Sequence, residues 1–245
     1  MYKKDKKILI TGGSKGIGLE LVNYFCKKNF SVTVLSRSFD EKKIKKKIRF
    51  LKWNVLKKKN YLNLGKKLKK INPDIIIHCI GGALGIRETL SPIQEWNKVF
   101  YFNVGHSIEI NNLILPDIIK QKKKCNVVHI SSSSTLDFGP DIKKYGGAAP
   151  YICSKSFLNT YVKLAAKEFK NTNISFTAFL PGPILLKHKY WYSLKLNNPK
   201  IFNEFRKDYL KGKNFLTAKK VANVIIKAYI NDFDKQNGKL IEIKN

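Results

Sequence analysis

The sequence predicts an α/β fold with one doubly wound parallel sheet of about seven strands and helices on both faces. Short β-branched segments alternate with longer helical segments along the chain. Residues 74–80 are almost wholly apolar, as expected for a strand that helices cover on both faces. With 245 residues, of which 43% are hydrophobic, the chain is long enough to form one domain over residues 1–245.

The expected elements follow in order from periodicity and turn residues. In the first helix, Ile17, Leu21 and Phe25 fall near one face, and Thr217 is suited to cap the last helix. The strands are expected at residues 7–11, 31–36, 48–54, 74–80, 126–131, 174–180 and 239–243. The helices are expected at residues 16–28, 56–70, 92–100, 104–123, 151–170 and 217–230. Residues 184–212 are less regular, and we expect them to form a mobile lid over a substrate.

The chain has the composition of a cytoplasmic protein. No apolar run approaches the roughly 18 residues that a membrane-spanning helix needs. The apolar stretch after the basic start is too short for a signal peptide. The four cysteines show neither paired nor metal-type spacing, so we expect free thiols in a reducing compartment and no metal site.

The formal net charge of +31 has three interpretations. A polyanionic partner such as nucleic acid or an acidic membrane surface would explain it. The excess is nearly all lysine, accompanied by abundant Asn, Ile, Phe and Tyr, so compositional drift in a low-GC genome explains it as well. The surface would also attract a substrate on an acidic carrier. Because arginine is scarce and no nucleic-acid-binding motif is present, we expect neither a nucleic-acid nor a membrane partner.

A glycine-rich turn joins the first strand to the first helix. Residues 11–18 read Thr-Gly-Gly-Ser-Lys-Gly-Ile-Gly. Glycines at this position let the backbone approach a pyrophosphate, which binds against the amides at a helix N-terminus. The turn therefore predicts a dinucleotide site, with contacts from Gly12, Ser14, Lys15, Gly16, Ile17 and Gly18.

The end of the second strand favours NADP(H) over NAD(H). NAD-binding enzymes usually carry an acidic residue here, whereas this chain has Ser36 and Arg37, with Lys15 in the glycine turn. Two cations without a carboxylate suit a 2′-phosphate. They are also what a lysine-rich surface would present by chance. Asn54 and Val55 follow the third strand, at the same edge of the predicted sheet.

Three further segments carry groups suited to chemistry. Tyr151 and Lys155 are four residues apart, which places both on one face of a helix. A nearby ammonium lowers the pKa of a phenol, so the pair suits acid–base catalysis. A serine run, residues 131–134, follows the fifth strand. His78 lies in a buried strand, where a satisfied core histidine is the interpretation favoured over a catalytic one.

In this order, the motifs resemble the classical type of the short-chain dehydrogenase/reductase family, over about residues 7–184. The resemblance implies a Rossmann-type fold and an enzyme that transfers a hydride between a nicotinamide cofactor and a carbonyl or alcohol. It implies that Ser132, or else Ser133, binds the carbonyl oxygen and that Tyr151 exchanges its proton. Lys155 would lower the pKa of Tyr151 and hold the nicotinamide ribose. Asn103 would hold a relay water, although it also suits a plain helix cap.

The resemblance also implies contacts under the nicotinamide and an oligomeric state. Asn54 and Val55 would lie beside the adenine. Gly81 would allow close approach of the cofactor, and Pro181, Gly182 and Ile184 would form the turn beneath it. The chain departs from the family pattern at residues 78–82, His-Cys-Ile-Gly-Gly, and lacks a threonine after the Pro-Gly turn. The gap between the serines and Tyr151 is also longer than usual. A homodimer or homotetramer is implied, pairing through residues 103–123 and 151–170.

The substrate remains open at this stage. A 3-oxoacyl thioester and a keto-sugar both suit the lid, which places aromatic residues next to cations in residues 187–192. The same aromatic residues suit a subunit contact equally well. An alternative of another class is a cofactor-binding regulatory protein that performs no turnover.

Overall fold

A computed structural model describes residues 6–40, 48–57, 61–138, 141, 144–145, 147–187 and 189–245. The strands form one parallel sheet in the order β3-β2-β1-β4-β5-β6-β7. They are β1 Lys7–Thr11, β2 Ser31–Ser36, β3 Arg49–Lys52, β4 Ile75–His78, β5 Cys125–Ile130, β6 Ile174–Pro181 and β7 Leu240–Ile243. The predicted doubly wound parallel sheet is confirmed. β3 and β4 are shorter at both ends than their patterns predicted.

Helices connect β1 to β2 and each pair of successive strands from β3 to β7. They are α1 Gly16–Lys27, α2 Tyr61–Lys69, α3 Ile93–Phe100, α4 His106–Lys120, α5 Ala149–Glu168, α6 Tyr190–Asn197, α7 Pro199–Asp208 and α8 Ala218–Ile230. A π-helical turn, Tyr101–Gly105, joins α3 to α4 without a loop. Among the described residues, none of these helices is both long and apolar enough to cross a membrane.

The lid segment, residues 184–212, is more regular than the sequence predicted, because it contains α6 and α7. The side chain of Asn198 accepts a hydrogen bond from the amide of Ile201 at 3.2 Å and so caps α7. Pro199 follows in the first turn, where its missing amide hydrogen costs nothing. These two residues are the signal for a helix that the sequence interpretation overlooked.

Each face of the sheet carries its own core, because side chains alternate along a strand. Ile8 and Ile10 of β1 pack with the buried side chains of α1 and α8 on one face. Leu9 packs with residues of α2, α4 and α5 on the other. This arrangement confirms the prediction of helices on both faces.

The strand order shows where along the sheet a ligand can bind. β1 is flanked by β2 and β4, so the connections leave β1 and β4 in opposite directions and a crevice opens between them. All strands are parallel, so the segments after β1, β2, β4, β5 and β6 meet at one edge. This carboxyl edge is where the candidate site residues are brought together.

The cap of α8 offers a test of the fold's local energetics. The hydroxyl of Thr217 accepts a hydrogen bond from the amide of Lys220 at 3.1 Å, as the sequence predicted. Thr217→Ala should lower the free energy of unfolding by about 1 kcal/mol, because that amide loses its partner. Thr217→Ser keeps the hydroxyl and should retain most of the stability in urea titrations. Equal losses in the two variants would contradict the capping role.

Candidate active site

The glycine turn after β1 has the geometry that a dinucleotide needs. Gly12 and Gly16 have φ angles of +70° and +57°, in the left-handed region that favours glycine. A Cβ atom on Gly18 would lie 2.5 Å from the carbonyl oxygen of Gly12, so only glycine fits there. The turn therefore leaves open backbone at the N-terminus of α1, and the residues present fit a pyrophosphate.

The predicted adenosine residues lie around the ends of β2 and β3. Lys15 is the N-cap residue of α1 and Arg37 follows β2, and both are exposed. The side-chain oxygen of Asn54 accepts a hydrogen bond from the amide of Leu56 at 3.2 Å. One acceptor site of Asn54 is thus engaged in a local turn, and Val55 is buried beside it.

Lys155 is held at the centre of the carboxyl edge. Its side chain is 97% inaccessible, and its Nζ donates to the carbonyl oxygen of Ile130, the last residue of β5, at 2.7 Å. A Cβ atom on Gly81 would lie 3.0 Å from this Nζ and 2.9 Å from Oδ1 of Asn103. A side chain at this position would therefore displace Lys155 or Asn103, which pack over the backbone where the chain leaves β4.

Asn103 lies in the π-helical turn and is not a helix cap. Its Nδ2 donates to the carbonyl oxygens of Gly82 at 3.0 Å and Val99 at 2.9 Å. Its Oδ1 accepts from the amide of Gly82 at 2.9 Å. Both amide hydrogens are therefore used. The side-chain oxygen accepts one hydrogen bond, so one of its two lone pairs remains. Asn103 thus links the loop after β4 to the last turn of α3.

The hydroxyl of Ser132 lies beside the phenol of Tyr151 and lowers the pKa of that phenol. It also lies 2.9 Å from the hydroxyl of Ser134. Ser133 instead turns inward and is buried, with its Oγ 3.9 Å from the place of a Cβ atom on Gly182. Of the two serines that the sequence left open, Ser132 is the one that meets Tyr151.

The protonation equilibria differ from the sequence expectation. Burial raises the pKa of Tyr151 above its ordinary value, and the neighbouring hydroxyl of Ser132 opposes that shift only in part. Burial lowers the pKa of Lys155 to about 7. Lys155 lies 5.9 Å from the centre of the Tyr151 ring, and its ammonium does not bring the phenol pKa below its ordinary value. A protonated Tyr151 at neutral pH suits proton donation.

The turn after β6 closes the site from below. Pro181 ends β6, and the amide of Gly182 donates to the carbonyl oxygen of Ile243 at 3.0 Å. Ile184 pairs with Leu216 in an isolated parallel bridge. These contacts place the three residues predicted beneath the nicotinamide at the same edge as Lys155.

The lid packs around an aromatic cluster formed by Tyr145, Phe202, Phe205 and Phe215 with Trp191. Trp191 stacks on Phe205 at 4.1 Å between ring centres. The phenol of Tyr145 donates to Asp208 at 2.8 Å, and its carbonyl oxygen accepts from the phenol of Tyr190 at 3.0 Å. The aromatic residues of the lid are therefore held by contacts within the chain.

Sequence reasoning missed Tyr145 and Arg87. Tyr145 belongs to the extra length between the serines and Tyr151, which the sequence interpretation treated only as a loop. The guanidinium of Arg87 lies 3.7 Å from the centre of the Tyr190 ring. No local pattern marks either residue, because each depends on a contact between segments distant in the chain.

Three buried histidines lie beneath the catalytic edge. His78 and His129 are register partners on β4 and β5, and their rings stack at 4.7 Å. His106 meets His78 edge-on at 6.1 Å. Nε2 of His78 lies 3.0 Å from Oδ1 of Asn111, but its Nδ1 has no partner among the described residues. The predicted satisfied core histidine is therefore buried but only half satisfied.

These histidines do not form a metal site within the described residues. Burial lowers the pKa of His78 to about 4 and that of His106 to about 3. Burial likewise takes the pKa of His129 well below its ordinary value, and repulsion from Lys155 adds to the shift in all three. The three rings are therefore neutral at physiological pH.

Comparison with known proteins decides the family. The family model described as short chain dehydrogenase matches residues 6–189. This chain belongs to the short-chain dehydrogenases. As a short-chain dehydrogenase it is an oxidoreductase with a fold that binds a nicotinamide cofactor, and the resemblance predicted from the motifs is confirmed.

Curated relatives of this short-chain dehydrogenase are distant. An NAD-dependent glycerol dehydrogenase of Listeria innocua is 26% identical over 76% of this chain and 74% of its own length. A very-long-chain 3-oxoacyl-CoA reductase of Mycosarcoma maydis is 20% identical over 68% of this chain and 49% of its own length.

Solved structures share the fold. A short-chain dehydrogenase from Leptospira borgpetersenii with bound NAD+ has a TM-score of 0.81 and 19% identity, covering 98% of this chain and 92% of the other. A 4-hydroxyisoleucine dehydrogenase complexed with NADH has a TM-score of 0.78 and 23% identity, covering 98% of this chain and 97% of the other.

The histidine cluster predicts an acid-sensitive fold. The unfolded chain binds protons at these histidines below their ordinary pKa of 6.5, whereas the folded chain does not. The stability they contribute is present above that pH and is lost as the pH falls towards 4. In this window, each histidine should lower the free energy of unfolding by about 1.4 kcal/mol for every unit by which the pH falls.

His129→Phe tests this linkage, because both ring nitrogens of His129 are unpartnered within the described chain. The variant should reduce the slope of unfolding free energy against pH by about 1.4 kcal/mol per pH unit, the contribution of one proton. Its stability at pH 8 should be equal or higher. Urea titrations from pH 8 to pH 4.5 measure both quantities. An unchanged slope would contradict the buried neutral state of His129.

Proposed function

We propose that the protein is an NADP(H)-dependent oxidoreductase that reduces a carbonyl to an alcohol or catalyses the reverse reaction. The observation that carries the proposal is the placement of Ser132 and Tyr151 at the edge where Lys155 is bonded to Ile130 and packs with Asn103 over Gly81. The family supplies the reaction class, and these residues supply groups for binding an oxygen and moving its proton.

In the reduction direction, each side chain has one task. The bound cofactor supplies the hydride. The hydroxyl of Ser132 hydrogen-bonds the carbonyl oxygen of the substrate, and Tyr151 donates its proton to that oxygen as negative charge develops there. Because the pKa of Tyr151 is raised, its phenol is protonated at neutral pH and ready to donate.

Lys155 restores the proton on Tyr151. With a pKa of about 7, its ammonium loses a proton readily at neutral pH. The carbonyl of Ile130 holds this group beside Gly81, where it also suits a contact with the nicotinamide ribose. Asn103 then acts by positioning, and its free lone pair can accept from a relay water.

The cofactor preference follows from charge at the adenosine end of the site. Lys15 and Arg37 are exposed there, and among the described residues no carboxylate pairs with either. The pair favours NADP(H), whose additional phosphate is a dianion. The NAD+ and NADH in the two structural neighbours belong to those proteins and leave this preference to experiment.

The substrate site lies between the lid and the carboxyl edge. We propose a single domain over residues 1–245, with residues 184–212 as the lid. A 3-oxoacyl thioester and a keto-sugar remain the candidate substrates, and the reductase relative from Mycosarcoma maydis favours the thioester. The positive surface would help to bind such a substrate on an acidic carrier in the cytoplasm.

We propose a homodimer or homotetramer that pairs through residues 103–123 and 151–170, and the apolar surface of α5 supports the second of these segments. On α5, Phe157 is 48% exposed and Leu164 is 60% exposed. Phe100 packs edge-on against Phe157 at 5.0 Å between ring centres and extends the same patch. Large apolar side chains grouped in this way indicate an interaction surface.

Tyr151→Phe tests the chemistry. It removes only the hydroxyl, so reduction should fall by about 10³-fold while the affinity for NADPH stays nearly unchanged. NADPH oxidation with a panel of 3-oxoacyl thioesters and keto-sugars measures the rate, and cofactor fluorescence measures binding. Tyr161→Phe is the control on the same helix and should retain activity. Full activity of Tyr151→Phe would overturn the mechanism.

Lys15→Gln and Arg37→Gln test the cofactor preference. Each should weaken NADPH binding about tenfold, since a charge-assisted bond to phosphate is lost, and leave NADH binding unchanged. Arg49→Gln removes an exposed arginine at the start of β3, at the opposite edge of the sheet, and should change neither affinity. Equal affinity of the unaltered protein for the two cofactors would contradict the preference.

A further inference from the structure

The lid begins against the glycine turn. A Cβ atom on Gly16 would lie 3.5 Å from the side chain of Leu186. Three residues later, Lys189 is the N-cap residue of α6, and its amide donates to the carbonyl oxygen of Leu186 at 3.2 Å. The first turn of the lid is thus fixed next to the N-terminus of α1, where Lys15 lies.

Lys189 forms a cluster of three cations with Lys15 and Arg37. Partial burial of its ammonium lowers the pKa of Lys189, and repulsion from Lys15 and from Arg37 lowers it further. Among the described residues no carboxylate pairs with any of the three. These three cations come from separate segments of the chain, and both of the others repel Lys189.

A cluster of like charges without a counter-ion is unfavourable until an anion binds in it. A phosphate monoester dianion suits the cluster, since it accepts several charge-assisted hydrogen bonds at once. The pyrophosphate has its own donors in the backbone of the glycine turn. Arg37 follows β2, which lies between β1 and β3 on the side of the sheet expected to hold the adenosine. We therefore take the anion shared by the three cations to be the one on the adenosine ribose.

We propose that Lys189 is a third cationic ligand of the 2′-phosphate of NADP(H), and that this contact holds the lid over the bound cofactor. The inference rests on the proposed NADP(H) preference. It adds a residue from the lid to a site otherwise built from the first two strands. Binding of the phosphate and closure of the lid are then one event.

The structure provides the connection from Lys189 to the rest of the lid. Lys189 begins α6, and Tyr190 and Trp191 follow at once. Trp191 stacks on Phe205 of α7, and Tyr190 hydrogen-bonds Tyr145. A contact that fixes Lys189 therefore fixes the aromatic cluster and both lid helices with it.

Lys189→Gln is the direct test, with Lys187→Gln as the matched control. Lys187 is an exposed lysine of the same segment, so it loses the same charge two residues away. Lys189→Gln should weaken binding of NADPH and of the probe 2′,5′-ADP about tenfold and leave NADH unchanged. Lys187→Gln should change none of the three. Loss of NADH and NADPH affinity together in Lys189→Gln would overturn the proposal.

Hydrogen exchange gives a readout of the lid itself. In the unaltered protein, NADPH should slow amide exchange in α6 and α7 more than saturating NADH does. Lys189→Gln should abolish that difference even when NADPH is saturating. A difference that persists in the variant would overturn the coupling to the lid.

The two proposals can fail separately. If Lys15→Gln and Arg37→Gln lower the preference for NADPH but Lys189→Gln does not, the role of Lys189 is refuted and the proposed cofactor stands. If none of the three substitutions changes the preference, the 2′-phosphate site is refuted and the role of Lys189 falls with it.

Discussion

The site depends on one buried contact, the hydrogen bond from Nζ of Lys155 to the carbonyl oxygen of Ile130 at 2.7 Å. It joins α5 to the last residue of β5 in a region closed to solvent. Because a buried ammonium without partners is costly, this bond restricts where α5 can lie along the sheet. Tyr151, one turn earlier on the same helix, is thereby placed beside Ser132. Where the chain leaves β4, Gly81 has no side chain that would displace Lys155.

Around this contact, the structure separates proton chemistry from cofactor recognition. Lys155 is buried and Tyr151 is partly buried, and burial shifts the pKa values of both towards their neutral forms. The groups proposed for the 2′-phosphate are exposed cations, whose attraction for an anion is screened by salt. The lid contacts both regions. Its first helix begins at Lys189, beside the cations, and its aromatic cluster includes Tyr145, in the loop that precedes Tyr151.

Much of the fold was predictable, because a parallel sheet covered on both faces leaves clear signals. Apolar strands, the glycine turn and the four-residue spacing of Tyr151 and Lys155 depend on local geometry alone. The two lid helices were missed although Asn198 and Pro199 mark the start of α7. The role of Tyr145 could not be predicted, because its contacts with Asp208 and Tyr190 join distant segments.

Protonation states were the least predictable part of the site. Helical spacing predicted that Lys155 would lower the pKa of Tyr151, but burial governs both groups and acts in the opposite sense on the phenol. The histidine cluster was hidden for a similar reason. His78 and His129 are 51 residues apart in the numbering, and only the β4–β5 register stacks them.

The most direct test of the account is a crystal structure of the unaltered protein with NADPH. The account predicts the pyrophosphate at the glycine turn, the 2′-phosphate among Lys15, Arg37 and Lys189, and the nicotinamide ribose beside Lys155. A cofactor bound away from the carboxyl edge, or a 2′-phosphate facing solvent without these cations, would contradict it.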